Sequence, residues 1–189
     1  MPPLLLWPPM HEMNALRKTH FELFGLPERY GIDATDLDAA YRSVQGAVHP
    51  DRFAGGSDAE RRVAMQMATH VNEAYRTLRD PARRAGYLCA LHGVELQVES
   101  NTAMTPAFLV QQMQWREELE EAREQRSEAA LQSIRDELDA RRGELLGRLG
   151  QAIDEQGDYH LAAQEVRQLM FLDRFAQDID AAHEHLLQA

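Results

Sequence analysis

Ala47-Val48-His49-Pro50-Asp51-Arg52-Phe53 sets a polar tripeptide between two segments that each carry the apolar spacing of an amphipathic helix. Upstream, Leu37, Ala40, Tyr41, Val44 and Val48 recur at helical period, and Thr35-Asp36-Leu37-Asp38 reads as the start, with Thr35 as N-cap. His49 precedes a proline and is thereby biased away from helical backbone, so this helix stops near Val48. After Gly55-Gly56, Ser57-Asp58-Ala59-Glu60 has the form of a capping box. Val63, Met67, Val71, Ala74, Tyr75 and Leu78 then trace a longer helix, ended by Asp80-Pro81. Two helices joined by a loop of roughly eight residues most often pack antiparallel. The spacing therefore predicts a helical hairpin that displays His49, Pro50 and Asp51 at its tip, where side chains are offered and not buried.

The rest of the chain arranges itself around that hairpin. Residues 1–19, with Pro2, Pro3, Pro8 and Pro9 and no sustained period, read as a flexible leader. His20-Phe21-Glu22-Leu23-Phe24 is an apolar turn or short helix closed by Gly25 and Pro27, too short to stand without packing. A further helical run from Ala82 to Leu91 completes a first domain over 20–94, and the polar stretch 95–104 is the expected linker. Thr105-Pro106, an N-cap followed by proline at the first helical position, opens a second domain over 105–189. Three helical segments are expected there, near 105–125, 127–150 and 158–187. The middle one carries Leu131, Ile134, Leu138, Leu145, Leu149 and Ala152 in near-heptad spacing. The fold class predicted is all-α: a hairpin with short flanking helices, then a three-helix bundle.

Charge narrows the partners. The net charge is −11, with 9 Arg against 11 acids over residues 20–95 and 9 Arg against 18 acids from 105 onward. An acidic surface repels phosphate backbones, so a protein partner is favoured over nucleic acid. No stretch is long enough to cross a bilayer, and Leu4-Leu5-Leu6-Trp7 lacks the basic flank and length of a signal peptide, so a cytoplasmic location is the expectation. The single cysteine, Cys89, excludes an internal disulfide. Cys89 with His92 supplies two potential ligands, short of a zinc set, and no cofactor, phosphate-loop or nucleophile motif appears. No glutamate stands three residues before a histidine, which argues against a di-iron bundle enzyme.

On a wheel of residues 105–122, Phe108, Trp115, Leu119 and Ala122 fall on one face, the face turned into the bundle. Leu109, Val110 and Met113 fall on the other side, together with Gln114, Glu117 and Glu121. Three apolar residues beside a carboxylate row point to a contact site. In the last helix Leu161, Leu172, Phe175, Ile179 and Leu186 make the core stripe, with Phe171 at its edge and placed to join the same patch.

The hairpin resembles a J domain: His49-Pro50-Asp51 matches the signature, and Val71-Asn72-Glu73-Ala74-Tyr75-Arg76-Thr77-Leu78-Arg79-Asp80-Pro81 matches the end of that domain's third helix. More narrowly, Phe21-Glu22-Leu23-Phe24-Gly25-Leu26-Pro27, Tyr87-Leu88-Cys89-Ala90-Leu91-His92-Gly93 and Arg116-Glu117-Glu118-Leu119-Glu120 resemble the HscB family, the J-type co-chaperones of iron-sulfur cluster assembly. The resemblance implies that His49, Pro50 and Asp51, flanked by Arg42 and Arg52, dock on a DnaK-like chaperone of the HscA type and stimulate its ATPase. It also implies that Leu109, Val110, Met113, Gln114, Glu117, Glu121 and Phe171 hold an iron-sulfur scaffold protein of the IscU type. The chain departs from the family pattern at Gly46-Ala47-Val48, where a basic and an aromatic residue are usual, at Gln114, often acidic, and at Val110, often longer. Fewer positive charges near the signature imply a slower or weaker encounter with an acidic chaperone surface. The competing readings are an adaptor, J-type or coiled-coil, for another protein client, and an enzyme.

Overall fold

The computed structural model describes residues 18–48, 55–96 and 104–188, and every regular element among them is helical. His49, Pro50, Asp51 and Arg52, the leader up to residue 17 and most of the expected linker lie outside the described residues. The chain divides into two compact units, residues 1–84 and 85–189.

In the first unit, α1 spans His20–Phe24 and is fixed at both ends. Thr19, expected in the leader, is its N-cap: the Thr19 hydroxyl accepts the Glu22 N–H at 3.1 Å while the Glu22 carboxylate accepts the Thr19 N–H at 2.8 Å. Gly25 turns the chain out at φ 65°, a conformation in which a side chain would be strained. A five-residue helix has no stability of its own, and α1 stands because Phe21 and Phe24 are buried.

Helix α2 runs Ala34–Val48. Its cap is Asp33 and not Thr35: the Asp33 Oδ1 accepts the N–H groups of Thr35 at 2.7 Å and Asp36 at 3.3 Å. A short carboxylate just ahead of the first helical residue reaches the second and third amides, which Thr35, already inside the helix, does not. Those two bonds hold the Asp33 carboxyl below its ordinary value. Helix α3, Asp58–Arg79, starts at the expected Ser57–Glu60 capping box and ends at Asp80.

The two helices meet along an apolar stripe that buries Leu37 and Val48 on α2 and Met67, Val71, Ala74 and Leu78 on α3. Beside it runs a polar seam. Tyr41 and Tyr75 stack with ring centroids 4.1 Å apart, the Tyr41 hydroxyl donates to Asn72 Oδ1 at 2.9 Å, and the Tyr75 hydroxyl donates to Asp38 Oδ1 at 2.7 Å. Arg79 donates to the Tyr75 hydroxyl and, at 3.2 Å, to Asp38.

Helix α4, Pro81–Leu91, follows. The sequence reading keeps all of it with the hairpin, but the compact units part at its middle, between Arg84 and Ala85. Arg84 belongs to the first unit, donating to the Leu78 carbonyl at 2.6 Å and lying 5.0 Å from the centre of the Tyr30 ring. Ala85, Leu88 and Cys89 are fully buried. The Cys89 thiol donates to the Tyr159 carbonyl at 3.5 Å, and His92 stacks on the Tyr159 ring at 3.7 Å. Those contacts tie the second half of α4 into the second unit.

The bundle itself comprises α5 (Pro106–Glu124), α6 (Glu128–Gly150) and α7 (Tyr159–Leu187). Thr105, Ser127 and Asp158 cap the three starts with side-chain oxygens, and Pro106 takes the first position of α5 as expected. After α6 the chain widens into a π-helical turn, Gln151–Gln156, which Gly157 closes at φ 64°. Phe108, Trp115, Leu119 and Ala122 of α5 are buried with Leu131, Ile134, Leu138, Leu145 and Leu149 of α6 and Leu169, Leu172, Phe175 and Ile179 of α7. Outside this core, α6 and α7 are linked by Arg135–Asp180 at 2.6 Å, Arg142–Asp173 at 2.9 Å and Arg148–Glu165 at 3.0 Å. The numbers rise on one helix as they fall on the other, so these pairs fix an antiparallel register.

Candidate functional site

Each unit presents one candidate surface. In the first, α2 ends at Val48 and α3 begins at Asp58, so residues 49–57 join the two helices. His49, Pro50, Asp51 and Arg52 fall in this connection and outside the described residues. Arg42 is exposed on α2. What the described residues contribute is the frame: the stacked tyrosines and the Asp38–Tyr75–Arg79 contacts hold the two helices that carry the connection. A directional polar seam of this kind specifies register more strictly than apolar packing alone.

In the second unit the surface lies on α5. Since Phe108, Trp115, Leu119 and Ala122 are within 3% of complete burial, the opposite face is forced outward. Leu109 is 44%, Val110 55% and Met113 62% exposed, beside exposed Gln114, Glu117 and Glu121. Six of the seven expected residues thus share the open side of one helix. The acidic character of this side is reinforced across the groove to α6, where Glu137 faces Glu118: partial burial first, then the charges of Glu137 and Glu121, push the Glu118 carboxyl above its ordinary value.

Phe171, the seventh, is only half-exposed. Its ring meets Phe108 edge-on at 5.7 Å and stacks with Phe175 at 5.8 Å and Trp115 at 6.5 Å. It is therefore part of the bundle's aromatic core as well as of its rim. Arg116 covers it, with its guanidinium carbon 5.8 Å from the ring centre. Residues three and seven apart lie along one stripe of a helix, so Arg116 continues the line of Leu109 and Met113. One residue escaped the sequence reading: Arg116 frames the patch, and the i, i+4, i+7 spacing that runs from Leu109 through Met113 also leads to it.

No group of three or more His, Cys, Asp or Glu side chains able to hold a metal occurs among the described residues. Burial pushes the Cys89 thiol up to about 11, so at neutral pH it is a packing group and not a thiolate ligand. No helix among the described residues is long and apolar enough to cross a membrane.

Residues 104–180 match the family model described as the HSCB C-terminal oligomerisation domain. A co-chaperone protein HscB homolog of Cupriavidus taiwanensis is 54% identical over 171 residues, covering 90% of this chain and 97% of that protein. Among solved structures, chaperone HscB from Vibrio cholerae is 35% identical with a TM-score of 0.78, covering 89% of this chain and 99% of that one. Human co-chaperone protein HscB is 30% identical with a TM-score of 0.81, covering 87% and 81% of the two chains.

Proposed function

This chain belongs to the HscB co-chaperone family, and on that footing we propose how its parts divide the work. It is a co-chaperone of iron-sulfur cluster assembly, acting with an HscA-type DnaK-like chaperone and an IscU-type scaffold protein. The J domain, built on the α2–α3 hairpin, stimulates the chaperone's ATPase through His49, Pro50 and Asp51, with Arg42 and Arg52 steering the encounter. The bundle holds the scaffold on the open face of α5, through Leu109, Val110, Met113, Gln114, Glu117 and Glu121, with Phe171 at the rim. The protein catalyses nothing itself and works in the cytoplasm: tethering substrate and ATPase in one complex raises their effective concentration.

The observation that carries this division is the α5 face. Three large apolar side chains stay open to solvent on a helix whose other side is fully packed, and isolated bundles have no structural use for such a patch. An inert adaptor would need no ATPase-stimulating loop, and an enzyme would not depend on one. The test is steady-state ATPase turnover of the cognate HscA-type chaperone with wild type, His49→Gln and Asp51→Asn, each with and without scaffold. Both variants should lose stimulation while keeping their helical content and scaffold binding. Stimulation at the wild-type level in both would remove the loop from the mechanism.

A further inference from the structure

The bundle carries an excess of acids, yet one groove on it is lined by arginines. It lies between α5 and α7, encloses about 660 Å³, and is bordered by Arg116, Glu120, Arg123, Phe171, Arg174 and Asp178, among others. Arg123 is engaged: it donates to Glu120 at 2.8 Å and to the Asp178 backbone carbonyl at 3.2 Å. Arg116 and Arg174 are exposed and make no ion pair with another described residue, although Asp178 stands one turn beyond Arg174 on the same helix. The floor is aromatic, with Phe171 and Phe175 stacked 5.8 Å apart and the Arg116 guanidinium lying over Phe171. A guanidinium resting on an aromatic face is oriented and partly shielded from water while its outer N–H edge stays open. That is the geometry in which arginine takes a carboxylate with two parallel bonds.

This groove adjoins the docking face, because Arg116 lies on the stripe of Leu109 and Met113. The apolar patch is thus flanked by opposite charges: the Glu117–Glu121 row on one side, the Arg116–Arg174 groove on the other. We propose that the groove is a carboxylate subsite, which takes an acidic side chain of the protein that covers Leu109 and Met113. The subsite rests on the α5 face being the scaffold-docking surface and adds the chemistry of one contact and the sense in which the partner lies. A partner presenting an apolar segment with an acid at one side and basic residues at the other fits in one orientation only. Turned end for end, its acid meets Glu117 and Glu121 and is repelled.

The test uses the full chain and the cognate IscU-type scaffold in titration calorimetry at two salt concentrations. Arg116→Gln/Arg174→Gln should weaken binding by roughly fivefold or more per arginine at low salt, and less at high salt. Arg116→Lys/Arg174→Lys, which keeps charge and loses the bidentate fork, should fall between. Thermal unfolding should be unchanged in both, since the two side chains are exposed. The glutamine variant binding as tightly as wild type at low salt, while Leu109→Ala/Met113→Ala weakens binding, overturns the subsite and leaves the face intact. If neither variant alters affinity, the face itself is misassigned and the subsite falls with it. A concentration-dependent dimer in sedimentation that the glutamine variant abolishes would mean a second copy fills the groove, which also overturns the proposal.

Discussion

Leu109→Ala combined with Met113→Ala separates binding from folding more cleanly than any other change on the bundle. Burying a large apolar side chain is worth about 1.5–3 kcal/mol when it starts fully exposed. Leu109 is 44% and Met113 62% exposed, so together they have on the order of 2–3 kcal/mol still to contribute when a partner covers them. Alanine keeps a fraction of that, which leaves an expected loss of about 2 kcal/mol, or roughly thirtyfold in Kd. Leu109 is already more than half covered in the folded chain and Met113 more than a third, so unfolding free energy should fall by about 1 kcal/mol, less than the loss in binding. Phe171→Ala offers the contrast. Its ring packs on Phe108, Trp115 and Phe175, so its removal should lower stability by about 2 kcal/mol as well as weaken binding. Calorimetry with the scaffold, paired with urea unfolding, reads both quantities. A double variant that binds within twofold of wild type refutes the assignment of this face, and one that unfolds as early as Phe171→Ala refutes the claim that the two side chains serve binding more than folding.

Three further outcomes are expected. Arg148→Met strands the Glu165 carboxylate, whose side chain is 9% exposed, and should destabilise the bundle by about 2–3 kcal/mol, with Glu165→Gln in the same chain recovering part of the loss in chemical denaturation. Cys89 should resist a thiol-reactive dye at pH 8 until denaturant opens the second unit, because its thiol is buried and pushed up to about 11; rapid native labelling would contradict that packing. His20, partly buried and 5.6 Å from His70, takes its proton less readily than an exposed histidine, through burial first and the His70 charge second, with Glu73 opposing. The unfolded chain therefore binds that proton first, and the stabilising contribution is present above pH 6.5 and lost as pH falls towards the lower native value. His20→Gln should flatten the decline in melting temperature over that range.

The helices were legible where local chemistry is strong. The Ser57–Glu60 box, Thr105-Pro106 and the start near residue 158 stand where the sequence predicts helix ends, and the inward and outward residues of α5 separate as the wheel has them. At the start of α2, Thr35 and Asp33 both have capping side chains, and only the position of the first helical residue decides between them. The division inside α4 was illegible for a different reason. Ala85, Leu88 and Cys89 look like any short apolar face, and the partner that Cys89 and His92 meet, Tyr159, lies some seventy residues away in sequence. Phe171 read as a rim residue because periodicity ranks positions by angle, whereas its ring reaches inward among three aromatic partners. The pairing of Arg116 with that ring belongs to the same class of long-range fact.

The tyrosine seam of the hairpin also has a mechanical meaning. Apolar stripes are less exacting: two helices joined only by Leu and Val contacts resist small slips, yet a shift of a whole turn lets their ridges repack into the next grooves. The Tyr41–Asn72 and Tyr75–Asp38 bonds are keyed, because each donor has one acceptor within reach and a shift of a single turn breaks both. A pull on the connection between α2 and α3 is thus carried as shear across those keys, and the hairpin moves as one lever when its end is engaged. Replacing both tyrosines by phenylalanine would keep the ring stack and the apolar stripe, yet leave a hinge that absorbs the load where the wild-type hairpin passes it on.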